Sequence, residues 1–502
     1  MSDIVFADKK RHMPCSVHIN RRALFESLNK NVVCIGSCFA EAISNHLSEL
    51  GVNTYYELKS CYRYSAKSLA DYIKWISKTS DDKKEQLTSN FYYSDDEQIV
   101  RSLRHSDLFD SAGNADFLKK KCEDIDAELI DRLRNADLII VTLGTSRYLR
   151  HRDTGTVITN VGGITVNNRD IEVPSTTETL EDIQLIIDCL HKLAPNTPQM
   201  FTVSPQRYGW APIGNYIDDT EIRTSETYKI SYDGIVSNAY DKSKLRVCLQ
   251  DSLESEQNRD KDLLYFPSYE IVLDELRHLD NFGRGETDFS HVSRDTSAYV
   301  VNRFANTYFG EDLVNFYTKY KANVKLISNL RFESIESFEA VILKQLNLLK
   351  GSASLFVPNH LLDPVERAIV NFPFDSPRLR EELQVVKLAL ATQDIQARET
   401  LQNTLYQKIN SLPEDKKLVV YGTGQTATDV LQNTTILQKN VCCFSGKSKP
   451  DSRYYFGKPF VLPNELKTLE FDFVIIAAIE SRKEITLALS TLGIAPENII
   501  SC

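Results

Sequence analysis

Four short stretches of this chain are almost unbroken runs of apolar residues: Val32–Ile35, Leu138–Leu143, Gln199–Val203 and Leu263–Phe266. Runs of that length without alternation are what parallel strands covered on both faces require. Helix-like segments separate them, so residues 31 to about 325 read as alternating strand and helix, an α/β arrangement. Residues 1–30 read as a leader packed on this domain. From 326 to 415 the apolar period becomes helical. Ile335, Phe338, Ile342, Leu346 and Leu349 form one stripe; Leu379, Leu383, Val386 and Leu390 form another. Ser376-Pro377 is a cap followed by a first-turn proline. Such stripes are packing surfaces, and this helical connector is the candidate arm for a homo-oligomer. A second, smaller α/β unit occupies 416–502, with strands at Lys417–Tyr421, Asn440–Phe444 and Phe471–Ala478. The domain reading is therefore 1–325, 326–415 and 416–502.

Composition narrows the class. At 502 residues the chain is too long for one core, and 42% hydrophobic with 25% charged residues is ordinary for a globular protein. The net charge of −10 argues against a nucleic-acid or anionic-membrane surface. No uncharged apolar stretch approaches the ~18 residues of a membrane span, and residues 1–30 hold no run of signal-peptide length. The ten cysteines are scattered apart from Cys442-Cys443, without zinc spacing, so no metal site is expected. Cys34, Cys442 and Cys443 lie in strand-like runs, as buried thiols of a reducing compartment would, and the expectation is a cytoplasmic protein.

The chemistry begins where the first strand ends. Val32-Val-Cys-Ile35 runs into Gly36-Ser37, and the helix-like Phe39–Leu47 follows. Gly36 allows a tight bend, and Ser37 stands at the carboxyl end of a strand and the amino end of a helix, where free N–H groups and the helix dipole favour negative charge. A serine there is either an N-cap or a nucleophile. Some 250 residues later, Asp288 precedes His291 by three positions. In a turn leading into a helix that spacing lets the carboxylate orient the imidazole while the other ring nitrogen takes a proton from serine.

These motifs and several others resemble the GSCFA family, a branch of the SGNH (GDSL-like) esterase and acyltransferase superfamily. The resemblance is carried by Gly36-Ser37-Cys38-Phe39-Ala40, His105-Ser106, Asp137–Thr145, Ser204-Pro205-Gln206-Arg207, Asn238 with Ser243-Lys244-Leu245-Arg246, Tyr265-Phe-Pro-Ser-Tyr269-Glu270, and Asp288-x-x-His291, in the family's order over roughly residues 30–310. It implies a flavodoxin-like SGNH-hydrolase three-layer sandwich with a Ser37, Asp288, His291 triad. It also implies an oxyanion hole drawn from the amides of Ser37 or Cys38 and of Gly144 or Thr145, and substrate contacts at Arg207, His105 and Tyr269. Departures exist: Asn53-Thr54-Tyr55-Tyr56 replaces the family's Asn-Pro-Phe-Gly, no asparagine follows Gly144, and Asn160–Gly163 lacks the usual cysteine and histidine. The missing asparagine leaves the oxyanion donors open.

In the C-terminal unit Gly422-x-Gly424-x-x-Ala427 has the spacing of a phosphate-binding turn opening a helix. The acid that would hold a ribose is absent; Ser445, Lys447 and Lys449 stand there instead. With Gly457-Lys458-Pro459 and Pro463…Leu466, this tail resembles the Rossmann-like domains attached to nucleotide-sugar and surface-polysaccharide enzymes. Gly422, Gly424 and Ala427 are its candidate cofactor residues. The functional expectation is a serine-dependent esterase or O-acyltransferase acting on acetyl groups of a surface carbohydrate. Its partner is then a small-molecule or glycan substrate. Ester cleavage itself needs no cofactor; acetyl-CoA as acyl donor and a nucleotide at the tail are the candidates. The competing reading is a non-catalytic glycan- or nucleotide-sugar-binding protein with a degenerate site.

Overall fold

In the computed structural model the four apolar runs are neighbours in one parallel sheet. The structure describes residues 15–501 apart from 79–90, 94–98, 107, 111–112, 160–168, 208–233, 284–289, 330–333, 372–375, 423, 447–453 and 479–481. The chain divides into two compact units, Met1–Leu379 and Arg380–Cys502, so the division falls within the expected helical connector.

The first unit is built on β1 (Asn31–Gly36), β2 (Asn53–Tyr55), β3 (Leu138–Leu143), β4 (Gln199–Val203) and β5 (Leu263–Tyr265), in the order β5-β4-β3-β1-β2. Every pairing is parallel. Numbered along the chain, the strands cross the sheet as 2-1-3-4-5, which puts the switch in winding direction between β1 and β3. Every residue of β3 and β4 is buried, which is why their sequences do not alternate. The short edge strand β2 is half exposed and polar, so it carries no apolar signature.

Side chains at alternate strand positions point to opposite faces. Val33, Ile35, Ile139, Val141, Leu143, Phe201 and Val203 share one core with residues of four helices. After α1 (Cys38–Glu49) these are α2 (Ala66–Ile76), α3 (Ala115–Arg134), α4 (Thr176–Leu193) and α5 (Gly234–Glu254); α2, α4 and α5 pack in series. Helix α1 follows β1 directly and packs on β1 and β2, with α6 (Arg294–Tyr308) against it. Residues 15–30 do lie on this unit: Phe25 is buried between Phe304 and Phe309, and Arg22 makes a two-pronged bond to Asp262 at 2.7 and 2.6 Å. The stripe Phe338, Ile342, Leu346 and Leu349 is the buried face of α8 (Ile335–Gly351), which packs on α7 (Glu311–Asn329) and α9 (Asp363–Asn371).

Helix α10 (Pro377–Ala391) spans the division. The second unit continues with α11 (Gln393–Asn410), β6 (Lys417–Tyr421), α12 (Gln425–Asn433), β7 (Asn440–Ser445), β8 (Lys458–Val461), β9 (Phe473–Ile476), α13 (Arg482–Thr491) and β10 (Ile499–Ile500). Its parallel strands lie in the order β8-β7-β6-β9-β10, with the short antiparallel strand Tyr454–Tyr455 outside β8. Leu418 and Val420 face α12 and α11 residues; Val419 and Tyr421 face Ile485 and Leu489 of α13.

Both units bend the chain after their first central strand with the same device. Gly36 has φ 118° and an ideal Cβ on it would lie 2.1 Å from the Thr142 carbonyl oxygen; Gly422 has φ 126° and its Cβ would lie 2.7 Å from Ala477 O. Each strand end therefore approaches its neighbour closer than any side chain permits. Gly424 has open space around it and no positive φ. Gly36→Ala should thus cost at least ~2 kcal/mol in urea denaturation through strain and clash, whereas Gly424→Ala should stay within ~0.5 kcal/mol of the parent. Equal midpoints for the two variants would contradict this reading of the turns.

Candidate active site

Ser37 is the N-cap of α1, with its amide turned back onto β3. The Ser37 N–H donates to Thr142 O at 2.9 Å and lies 2.8 Å from Thr142 Oγ1, and the two hydroxyls are 2.9 Å apart. The Ser37 Oγ also accepts from Phe39 N at 3.3 Å, and the residue is 1% exposed. Ser37 is therefore both the cap and the group at the switch point. Thr142, a polar interruption of an otherwise apolar strand, holds it there.

A loop crosses these strand ends. Arg63 N donates to Gly36 O at 2.5 Å, and Tyr64 O accepts from the amides of Gly144 and Thr145, both at 2.9 Å. An ideal Cβ on Gly144 would come within 3.2 Å of Ser37 Cβ and 2.8 Å of Tyr64 O, so glycine lets the loop and the serine share this space. Three of the four amides expected to receive an oxyanion, those of Ser37, Gly144 and Thr145, are thus already donating to carbonyls.

The loop is braced from beneath by a buried polar network. The Asp126 carboxylate accepts from Tyr72 Oη at 2.6 Å and Trp75 Nε1 at 3.1 Å, and its Oδ1 lies 2.9 Å from His105 Nε2. His105 Nδ1 is 2.9 Å from Ser102 Oγ, and the Arg63 guanidinium lies 3.9 Å over the Tyr72 ring. His105 was expected to touch substrate. With both ring nitrogens engaged and 4% of its surface exposed, it instead supports the loop that carries Arg63 and Tyr64. Asp126 escaped sequence reading although a signal existed: it sits among Cys122, Leu129 and Leu133 on the buried stripe of α3.

On the other side, Ser204 N donates to Leu143 O at 2.8 Å where β4 ends. Two residues on, the Cys38 thiol donates to Gln206 Oε1. Arg207 N then donates to Ser290 O at 3.0 Å, and the Arg207 guanidinium lies 3.9 Å over the Phe282 ring. Phe282 pairs with Val292, and Gly283 N donates to His291 O at 2.9 Å. A continuous line of contacts, Ser37-Cys38 to Gln206-Arg207 to Ser290-His291, joins the two distant motifs. Burial lowers the Arg207 pKa and raises that of Tyr269, and each acts electrostatically on the other, so Tyr269 belongs to the same neighbourhood. Asp288 lies outside the described residues, as do Asn160–Gly163, Lys447 and Lys449.

Helix α5 adds two charges that the sequence did not single out. The buried Asp241 carboxylate accepts from Ser146 Oγ at 2.8 Å and Thr145 Oγ1 at 3.1 Å, and is 2.9 Å from Arg147 Nε. Lys242 Nζ donates to Gly144 O at 2.5 Å. Burial pushes this amine down to about 7, partly offset by Cys38 and Asp241. Adjacent opposite charges on a helix look like a solvated face, so only the fold reveals them as buried.

In the second unit Gly422 N donates to Ser445 O at 2.9 Å and Gly424 caps α12 without a side chain, while Ala427 is buried against the sheet. Ser445, at the end of β7, is itself buried with no hydrogen-bond partner for Oγ.

Among family models, the GSCFA family matches residues 31–304, more than half the chain, and a family described as C2185-like, N-terminal, matches residues 414–500. No curated protein matches. Similar solved structures include the periplasmic domain of a lipopolysaccharide acetyltransferase from Salmonella ser. Paratyphi A, with 12% identity, 55% of this chain and 83% of that chain covered, and a TM-score of 0.27. Another is translation initiation factor eIF-2B of Pyrococcus horikoshii OT3, with 11% identity, 35% and 75% coverage, and a TM-score of 0.17. At such TM-scores only the family matches bear on function.

Lys242 generates a pH test. An amine held at about 7 in the fold against 10.5 in the open chain is neutral when folded and charged when unfolded across that interval. The unfolded chain then binds more protons, so stability through this residue is flat below 7 and rises with pH towards 10.5. Lys242→Met removes the effect. Its stability advantage over the parent should be largest at pH 6–7 and shrink by pH 9.5 in urea titrations; parallel curves would contradict the buried amine.

Proposed function

Because this chain belongs to the GSCFA family, we propose that its first unit is a serine-dependent acyl-ester enzyme with the flavodoxin-like, three-layer architecture of the SGNH superfamily. Ser37 Oγ bonds to the carbonyl carbon of an ester or thioester while His291 takes its proton. The carbonyl π pair moves onto oxygen, then re-forms the double bond as the alcohol or thiol leaves with the proton returned by His291. Water or a sugar hydroxyl, deprotonated by the same imidazole, releases the acyl group in a second round. Asp288 orients His291, and Arg207 and Tyr269 bind the substrate. Hydrolysis and transfer use the same groups and differ in how well water is excluded.

The observation that carries this reading is the chain of contacts from Ser37 to His291 across the ends of β1, β3 and β4. Strand ends at a winding switch are where α/β sheets bind ligands. The substrate class follows from the second unit. Its parallel order, with the first strand central, and its glycine turn suit a Rossmann-like nucleotide site at Gly422, Gly424 and Ala427. In this reading a nucleotide-bearing ligand binds there and acetyl-CoA is the candidate acyl donor, which directs the chemistry towards acetyl groups on a surface carbohydrate. A second reading, a glycan- or nucleotide-sugar-binding protein without turnover, draws on the burial of Ser37 and the engagement of three oxyanion amides.

A chromogenic acetyl ester separates the two. The enzyme reading expects turnover that drops on the order of 10³-fold or more in both Ser37→Ala and His291→Ala with unchanged melting temperatures. Turnover absent from the parent, or indifferent to Ser37, favours the binding protein.

A further inference from the structure

Acyl transfer needs donors at the oxygen that turns negative, and such donors work best when fixed in advance. The amides of Ser37, Gly144 and Thr145 are spent on Thr142 and Tyr64. Among the described residues, a side-chain donor at this end of the sheet is unspent. Gln206 stands three residues beyond β4, 6% exposed, and its Nε2 has no hydrogen-bond partner. Its Oε1 accepts from the thiol of Cys38, the residue next to Ser37 and the first of α1. With that bond the carboxamide is turned with its oxygen on the thiol and its nitrogen away from it. A buried amide hydrogen left unpaired weakens a fold, and it is kept where a ligand completes the bond.

Resting on the acyl-enzyme reading above, we infer that Gln206 is the side-chain oxyanion donor of this site, with Cys38 as its positioning residue. The asparagine absent after Gly144 is replaced from the neighbouring strand. As Ser37 Oγ bonds to the carbonyl carbon and the π pair moves to oxygen, Nε2–H shortens its hydrogen bond to that oxygen. The bond relaxes when the double bond re-forms and the leaving group departs with the proton from His291. Gln206 itself gains and loses no proton.

Gln206→Met keeps the volume and removes both the orphaned donor and its desolvation cost. In the full-length protein it should hold or raise the melting temperature while kcat on the acetyl ester falls on the order of 10²–10³-fold and KM changes less than about threefold. Cys38→Ser keeps a donor to Oε1 and should retain most of kcat; Cys38→Ala releases the carboxamide and should lose about tenfold or more. Gln206→Met turnover within about threefold of the parent overturns the inference and leaves Ser37-dependent chemistry standing. A kcat loss that tracks a fallen melting temperature also overturns it, since that is a packing effect. Absence of any Ser37-dependent turnover in the parent removes the reading beneath and this inference with it.

Discussion

The first unit depends on the approach of Gly36 to the carbonyl of Thr142. With any side chain at 36 the two central strands would be forced apart at their ends, and the amide of Ser37 would lose its bond to β3. That one contact turns the chain out of the sheet, starts α1 and leaves the Ser37 hydroxyl beside Thr142 at the point where the winding of the sheet reverses. Gly144 repeats the economy on the adjacent strand, where the absence of a side chain admits both Tyr64 and Ser37.

Around this contact the protein buries several ionisable side chains. Asp126, Asp241, Arg63 and Lys242 are all nearly inaccessible. Asp126 supports the loop that seats Tyr64 over Gly144 and Thr145; Asp241 and Lys242 hold the same turn from α5. Buried charges cost folding free energy unless hydrogen-bonded, and each removal leaves its partners stranded. Their concentration beneath one strand-end loop is what preorganised electrostatics asks for: groups that do not rearrange when charge develops.

Much of this was legible in the residues and some was not. The buried strands announced themselves because both faces are covered, so Leu138–Leu143 and Gln199–Val203 coincide with observed strands. The strands β2, β8 and β10 did not, being short and largely not buried. Gly36-Ser37 was readable because a tight turn needs glycine and a helix start needs a cap. His105 was read as a substrate contact, since a histidine within a family segment says nothing of which partners surround it; the fold gives it Asp126 and Ser102. Gln206 and Lys242 were invisible because what marks them is an unpaired donor and a desolvated amine, properties of packing rather than of spacing.

The most direct measurement is peptide mapping by mass spectrometry after treatment of the full-length protein with a fluorophosphonate. The reagent reports which serine is activated, with no knowledge of the substrate. The account requires a single adduct on the peptide containing Ser37, abolished in the His291→Ala protein. An adduct on a different serine, or labelling of Ser37 that persists undiminished without the imidazole, would contradict it.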